Sequence, residues 1–259
     1  MMARKTLIAG LTMLAVACGD DGSADGPRRA PSNTEWSTGE GVTSMRCRGR
    51  GDTPVVFLAG GADPGDTWDD VIEDLGPDVL TCVYDRPGVG QSDALDALVT
   101  PQAVADVLGD TLDAADVANG ALLVGHSLGG LTLRLYGADR SDMLAGALFL
   151  DPTVPDPEDT ILADELDDLG WDAAATVAQG AAVTRWPSDV PLTVLSHDPA
   201  LAVSTGTWSE ADQVRWSAGQ RDYGMLTPSG TQRDVSDATH YVYRTRPDEV
   251  VLALRALLP

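Results

Sequence analysis

Across 259 residues the chain is 43% hydrophobic and 22% charged, which supplies a sizeable buried core and excludes general disorder. Its 17 basic and 40 acidic residues leave a formal net charge of −23, a field that repels phosphate backbones and excludes nucleic acid as a partner. Length alone fits one generous α/β domain or two small ones.

Arg4 and Lys5 precede an apolar run from Leu7 to Ala17. The run is too short to span a bilayer, so residues 1–17 read as an export signal. It ends in Ala15-Val16-Ala17-Cys18, followed by Gly19. Small residues before a cysteine resemble a bacterial lipobox, with Cys18 as the lipidated first residue of the mature protein. Ala15 stands where leucine is usual, and the alternative is an ordinary signal cut near Ala17. The expected location is outside the cytoplasm, lipid-anchored to the cell envelope, otherwise periplasmic or secreted. Gly, Pro, Asp and Ser dominate the next stretch, so residues 18–41 are expected to be a flexible tether before a domain at 42–259.

With Cys18 set aside, Cys47 and Cys82 remain, an even number in an exported chain. A disulfide between them would tie the first strand to the sheet; the alternative is two buried thiols.

Pro54 to Ala59 is a continuous apolar run stopping at Gly60-Gly61, as a strand buried on both faces should. Trp68, Val71, Ile72 and Leu75 have helical spacing. Val79 to Tyr84 is a second strand, ending in Asp85-Arg86-Pro87-Gly88-Val89-Gly90, and Pro101 to Val117 is helical. A strand from Ala121 to Val124, a glycine-flanked turn and a helix from Leu128 to Ala138 come next, then a strand from Gly146 to Leu150. Residues 152–189 break the alternation and read as a small helical cap insertion over the sheet edge. Pro191 to Ser196 is a strand, 200–230 is weakly patterned, Thr231 to Val235 is a short strand, and Pro247 to Leu258 is a helix led by proline. Strands alternating with helices at this spacing predict an α/β fold, a mostly parallel central sheet with helices on both faces.

The chemistry concentrates in Gly125-His126-Ser127-Leu128-Gly129-Gly130, a Gly-x-Ser-x-Gly motif between a predicted strand and a predicted helix. Its glycines permit a tight turn that lifts the Ser127 hydroxyl to a helix N-terminus, where N–H groups favour developing negative charge. Serine needs a base within hydrogen-bond reach. Of the three histidines, His126 should point into packing beside the turn, and His197 lies in a loop-like His-Asp-Pro. His240, after the last strand, is the candidate base.

These residues resemble the α/β-hydrolase family over about residues 42–259. The likeness is strongest to exported bacterial members with an early cysteine and a second one before Tyr-Asp-Arg-Pro-Gly-x-Gly-x-Ser, here Cys47, Cys82 and Tyr84 to Ser92. The resemblance implies an oxyanion hole from the Leu128 N–H and from Gly61 N–H, in a turn where relatives have His-Gly-x and this chain has Ala59-Gly60-Gly61. It also implies an acid. The slot past strand Leu192 to Ser196 that matches best holds Ala200, leaving Asp198 nearby. Asp151, at the end of the preceding strand, is preferred because the sheet sets its position; either would fix the tautomer of His240.

The reaction expected is hydrolysis of a small or medium-sized ester through an acyl-serine. Amide, peptide or lactone cleavage and cofactor-free haloperoxidase-like chemistry are alternatives on the same triad. A non-catalytic hydrolase-fold binding protein is a further one. No cofactor or metal is expected, since histidines and cysteines show no ligand spacing. Nothing in the sequence sets the oligomeric state.

Overall fold

A computed structural model describes residues 27–31, 34–38, 41–158 and 160–259. The signal at 1–17, Cys18 and the first part of the tether lie outside the described residues.

Short runs of aliphatic residues build the centre of the molecule. Strands β3 (Val55–Leu58), β5 (Ala121–His126) and β6 (Leu144–Leu150) are buried along almost their whole length. Alternate side chains serve two separate cores, as the pleat requires. Val56, Leu58, Leu123 and Phe149 belong to one core; Val55, Phe57, Leu122, Val124 and Leu148 belong to the other. Burying each such side chain is worth roughly 1.5–3 kcal/mol. These strands join β1 (Glu35–Thr38), β2 (Gly41–Arg48), β4 (Thr81–Asp85), β7 (Leu192–Ser196) and β8 (Thr231–Asp234) in one sheet of order β1-β2-β4-β3-β5-β6-β7-β8. β2 is antiparallel to both β1 and β4, and every pairing from β4 to β8 is parallel. This is the expected α/β architecture.

Helices cover both faces. A 3-10 turn at Gly65–Trp68 runs into α1 (Asp69–Leu75), which packs with α9 (Pro247–Leu257) on one side. On the other lie α2 (Pro101–Ala114) and α3 (Leu128–Arg140). Thr100 caps α2 by accepting the Ala103 N–H, with Pro101 in the first turn. The interruption at 152–189 contains α4 (Thr160–Asp168) and α5 (Ala173–Ala182). α5 packs on α2 and α3, so part of the insertion adds to the helical layer on that face. Its tail is anchored by Trp186, whose Nε1–H donates to Arg134 O at 2.9 Å. The weakly patterned stretch holds α6 (Pro199–Ser204) and α7 (Glu210–Gly224), and α8 (Val242–Thr245) precedes α9.

The predicted tether proves too long. β1 lies inside it, paired with β2 from Glu35↔Ser44 to Thr38↔Gly41, and Trp36 packs on the core. An edge strand of four residues carries too few apolar positions to stand out from a polar leader. Cys47 and Cys82 face each other across β2 and β4 and are joined in a disulfide.

Candidate active site

β5 ends at His126 and α3 begins at Leu128, leaving Ser127 alone to turn the chain, at φ 50° and ψ −121°. A non-glycine residue with such dihedrals stores roughly 1–3 kcal/mol of strain and persists only where its surroundings enforce it. Here the Ser127 carbonyl accepts N–H groups from Gly130 (2.9 Å), Leu131 (3.2 Å) and Thr153 (3.1 Å), while its own N–H donates to Leu150 O at 3.3 Å. Glycine at 129 allows the close fit, since a Cβ there would sit 2.3 Å from Leu58 O. The Ser127 hydroxyl points to Thr153 Oγ1 at 3.3 Å.

β6 lies beside β5, and Asp151 comes directly after it, with its N–H bonded to Leu195 O on β7 at 2.8 Å. The Asp151 carboxylate is fully buried and receives four donors. Oδ2 accepts from His240 Nδ1 and from His197 Nδ1, each at 2.7 Å. Oδ1 accepts from Trp216 Nε1 at 2.9 Å and from His197 N at 3.3 Å. Burial alone would raise the pKa of this carboxyl. The bonds from His197 and His240 outweigh that and hold it well below the usual carboxylate range, so it is ionised. With Nδ1 donating to Asp151, His240 keeps Nε2 free to accept a proton.

The two candidate acids part company. Asp198 caps α6, with Oδ1 accepting from Ala200 N (2.9 Å) and Leu201 N (3.2 Å) and Oδ2 from Asp237 N (3.0 Å). It makes no hydrogen bond or ion pair with His240 among the described residues.

His126 is buried beside the elbow, as expected. Burial, and secondarily the neighbouring His240, lower its pKa well below normal and leave it neutral. Its Nε2–H donates to His240 O at 3.0 Å, bracing the segment that carries that histidine.

The Ala59-Gly60-Gly61 turn after β3 approaches the elbow closely: a Cβ on Gly60 would lie 2.6 Å from Ser127 Cβ. Neither Gly61 N–H nor Leu128 N–H donates a backbone hydrogen bond among the described residues. Arg86 donates to the Ala59 and Gly60 carbonyls at 3.4 and 3.3 Å, with its guanidinium 5.7 Å over Trp171 of the insertion. Farther along the same loop, Asp63 meets Tyr243 Oη at 3.3 Å and Arg244 at 3.3 Å. The turn is thus tied both to the insertion and to the His240 segment. Asp85 shapes the neighbouring loop, accepting from Gly65 N at 2.7 Å, Gln91 N at 3.2 Å and Arg46 at 3.1 Å.

Three residues at the site are given no catalytic role by the sequence. His197 shares the Asp151 carboxylate, Trp216 donates to it, and Gln213 Oε1 lies 2.8 Å from His197 Nε2. The parallel pairing Leu150↔Leu195 was the available signal, because it brings the residues just past β6 and β7 together. Of the four tryptophans between residues 152 and 230, Trp171 and Trp186 are packing anchors. Trp208 and Trp216 stand 4.7 Å apart beside His197. No cluster of three or more metal-ligating side chains occurs among the described residues.

A family model described as alpha/beta hydrolase fold matches residues 53–229. The chain is 37% identical over 82 residues to an uncharacterised protein of Schizosaccharomyces pombe, covering 32% of this chain and 15% of that one. It is 38% identical over 101 residues to an esterase of Mycobacterium tuberculosis, 38% of this chain and 33% of that one. The chain therefore spans less than half the length of the curated relatives it matches. A solved esterase from Thermogutta terrifontis superposes with a TM-score of 0.61 at 16% identity, over 88% of this chain and 97% of that one.

Proposed function

The chain belongs to the alpha/beta hydrolase family, and from that premise we propose that it is a serine hydrolase cleaving carboxylic esters of small or medium size through an acyl-serine intermediate. One observation carries the reading: His240 Nδ1 lies 2.7 Å from a buried, ionised Asp151, beside a serine held in a strained turn at the head of α3. Ser127 Oγ attacks the ester carbonyl while His240 Nε2 takes its proton. The oxyanion accepts from Gly61 N–H and Leu128 N–H, and each such donor contributes about 3 kcal/mol. Collapse expels the alcohol, protonated by His240. Water, deprotonated by His240, then attacks the acyl group, and as the bond to Oγ breaks His240 returns that proton to Ser127 and the acid leaves.

For this to begin, the Ser127 hydroxyl leaves Thr153 for His240; substrate-free sites are commonly loose in this way. A serine at the elbow argues against epoxide and haloalkane hydrolysis, which in this fold need a carboxylate nucleophile. The esterases among the similar proteins support the substrate class. Export and membrane attachment through a lipidated Cys18 belong to the same proposal. Residues 1–18 support them, as does the Cys47–Cys82 disulfide, a bond that persists in oxidising compartments.

The test is hydrolysis of short p-nitrophenyl esters. Ser127→Ala and His240→Ala should each lower kcat by several orders of magnitude, and the double variant should be little worse, because triad members act as a unit. Full activity in folded Ser127→Ala would refute the mechanism, and no activity in the wild type would favour a non-catalytic binding protein.

A further inference from the structure

A single imidazole is enough to complete the proposed triad, yet two sit on its carboxylate. His197 is buried, just past β7, with Nδ1 2.7 Å from the same Asp151 oxygen that His240 uses. Its far nitrogen, Nε2, faces Gln213 Oε1 at 2.8 Å. The Gln213 amide is oriented by its own donation to Ser217 Oγ at 3.1 Å. With Gln213 in this orientation both His197 nitrogens face acceptor oxygens, the arrangement that suits a doubly protonated imidazole.

We propose that His197 is a positioning residue of the triad: as an imidazolium it shares the Asp151 carboxylate with His240, and so lowers the affinity of His240 for a proton. The proposal rests on reading Ser127, His240 and Asp151 as catalytic. A lone carboxylate would spend its whole field on the His240 imidazolium. With a second cation on the same oxygen, part of that field is cancelled, and like charges oppose one another. The proton that His240 takes from Ser127 is then held less tightly than in a triad with one histidine.

The groups around His197 favour its charge. Asp151 reaches it from the end of β6, Asp234 acts from the end of β8, and Asp198 is next in the chain. Gln213 and Trp216 face it from α7, Trp208 stacks on it at 5.8 Å, and His240 opposes its charge when protonated. Burial disfavours the charged form, but Asp151 outweighs burial and raises the His197 pKa.

A neutral donor would hold Asp151 in place just as well, and this separates charge from scaffolding. His197→Asn keeps an N–H donor near the Nδ1 position and removes the charge. Gln213→Leu leaves His197 but deletes the acceptor on Nε2. In both variants the acid limb of the kcat/KM profile for a p-nitrophenyl ester should move to higher pH by on the order of one unit. Nitrogen-15 NMR of the imidazoles in the full wild-type chain should find two N–H groups on His197 at pH 7, which needs no variant to fold and no turnover. A singly protonated His197 at pH 7 overturns the proposal. So does an unmoved acid limb in folded variants whose Ser127 still reacts with a fluorophosphonate, and in that case the triad itself stands. If wild-type Ser127 does not react, the triad reading falls and this inference falls with it.

Discussion

Gly60→Ala puts one methyl group where the oxyanion turn meets the nucleophile. Its Cβ would lie 2.6 Å from Ser127 Cβ, 2.8 Å from His126 Nδ1 and 3.2 Å from His126 O. None of these atoms is the loose end of a flexible side chain. Ordinary contact starts at 3.4 Å, so one partner has to move by about 0.8 Å. The elbow is held by three N–H bonds to the Ser127 carbonyl, so the turn is the softer side and Gly61 N–H is carried away from the reacting carbonyl. A misplacement of about 1 Å costs on the order of 100-fold in rate, close to the lower end for losing one oxyanion donor. Because the oxyanion is absent from the bound ground state and forms only along the reaction, the loss should fall on kcat and leave KM nearly unchanged. Crowding should also lower stability by about 1–3 kcal/mol. Steady-state ester hydrolysis, with thermal melting to confirm folding, reads both. A folded variant with kcat within threefold of wild type would refute the placement of the oxyanion site at this turn.

Asp151→Asn presents an N–H or a single acceptor where two histidines now donate, favouring the wrong His240 tautomer, so kcat should fall by about 10⁴ in steady-state assays. The native Asp151 carboxyl is held below its ordinary pKa of about 3.9, so its share of stability is present above that pH and is lost as pH falls through the folded value. Acid titration followed by circular dichroism should find that share missing in the asparagine variant. Asp198→Ala should behave oppositely, costing about 1 kcal/mol of stability as a lost helix cap while kcat is retained. Replacing both Cys47 and Cys82 by serine opens a link between residues 35 apart in sequence and should cost about 2–4 kcal/mol in denaturant unfolding. Two free thiols in protein purified without reductant would contradict that link.

Where side chains face only the core, the chain could be read directly. β3, β5 and β6 are continuous apolar runs because both faces are covered, and Gly125, Gly129 and Gly130 announce the turn because no Cβ fits at those positions. α7 was opaque for the opposite reason. Gln213 and Gln220 occupy its buried face, where Gln220 Nε2 donates to Pro152 O at 2.8 Å, and Gly219 lies against Val154. A helix that buries amides has no apolar stripe to detect. β1 and β8 are short edge strands whose mostly polar residues face solvent on the exposed side. Asp151 and Asp198 are each a carboxylate just beyond a parallel strand, and local pattern cannot rank them. The path of the chain from β8 to His240 separates them, and it depends on long-range packing. His197 was hidden in the same way, since its partner is 46 residues distant in sequence.

Whether Ser127 is the nucleophile is decided by reaction of the full chain with a fluorophosphonate, read out by peptide mass spectrometry. A single phosphonyl adduct on Ser127 is expected, absent from Ser127→Ala and slowed in His240→Ala. An adduct on another residue, or an unmodified Ser127 in folded wild-type protein, would contradict the serine-hydrolase mechanism.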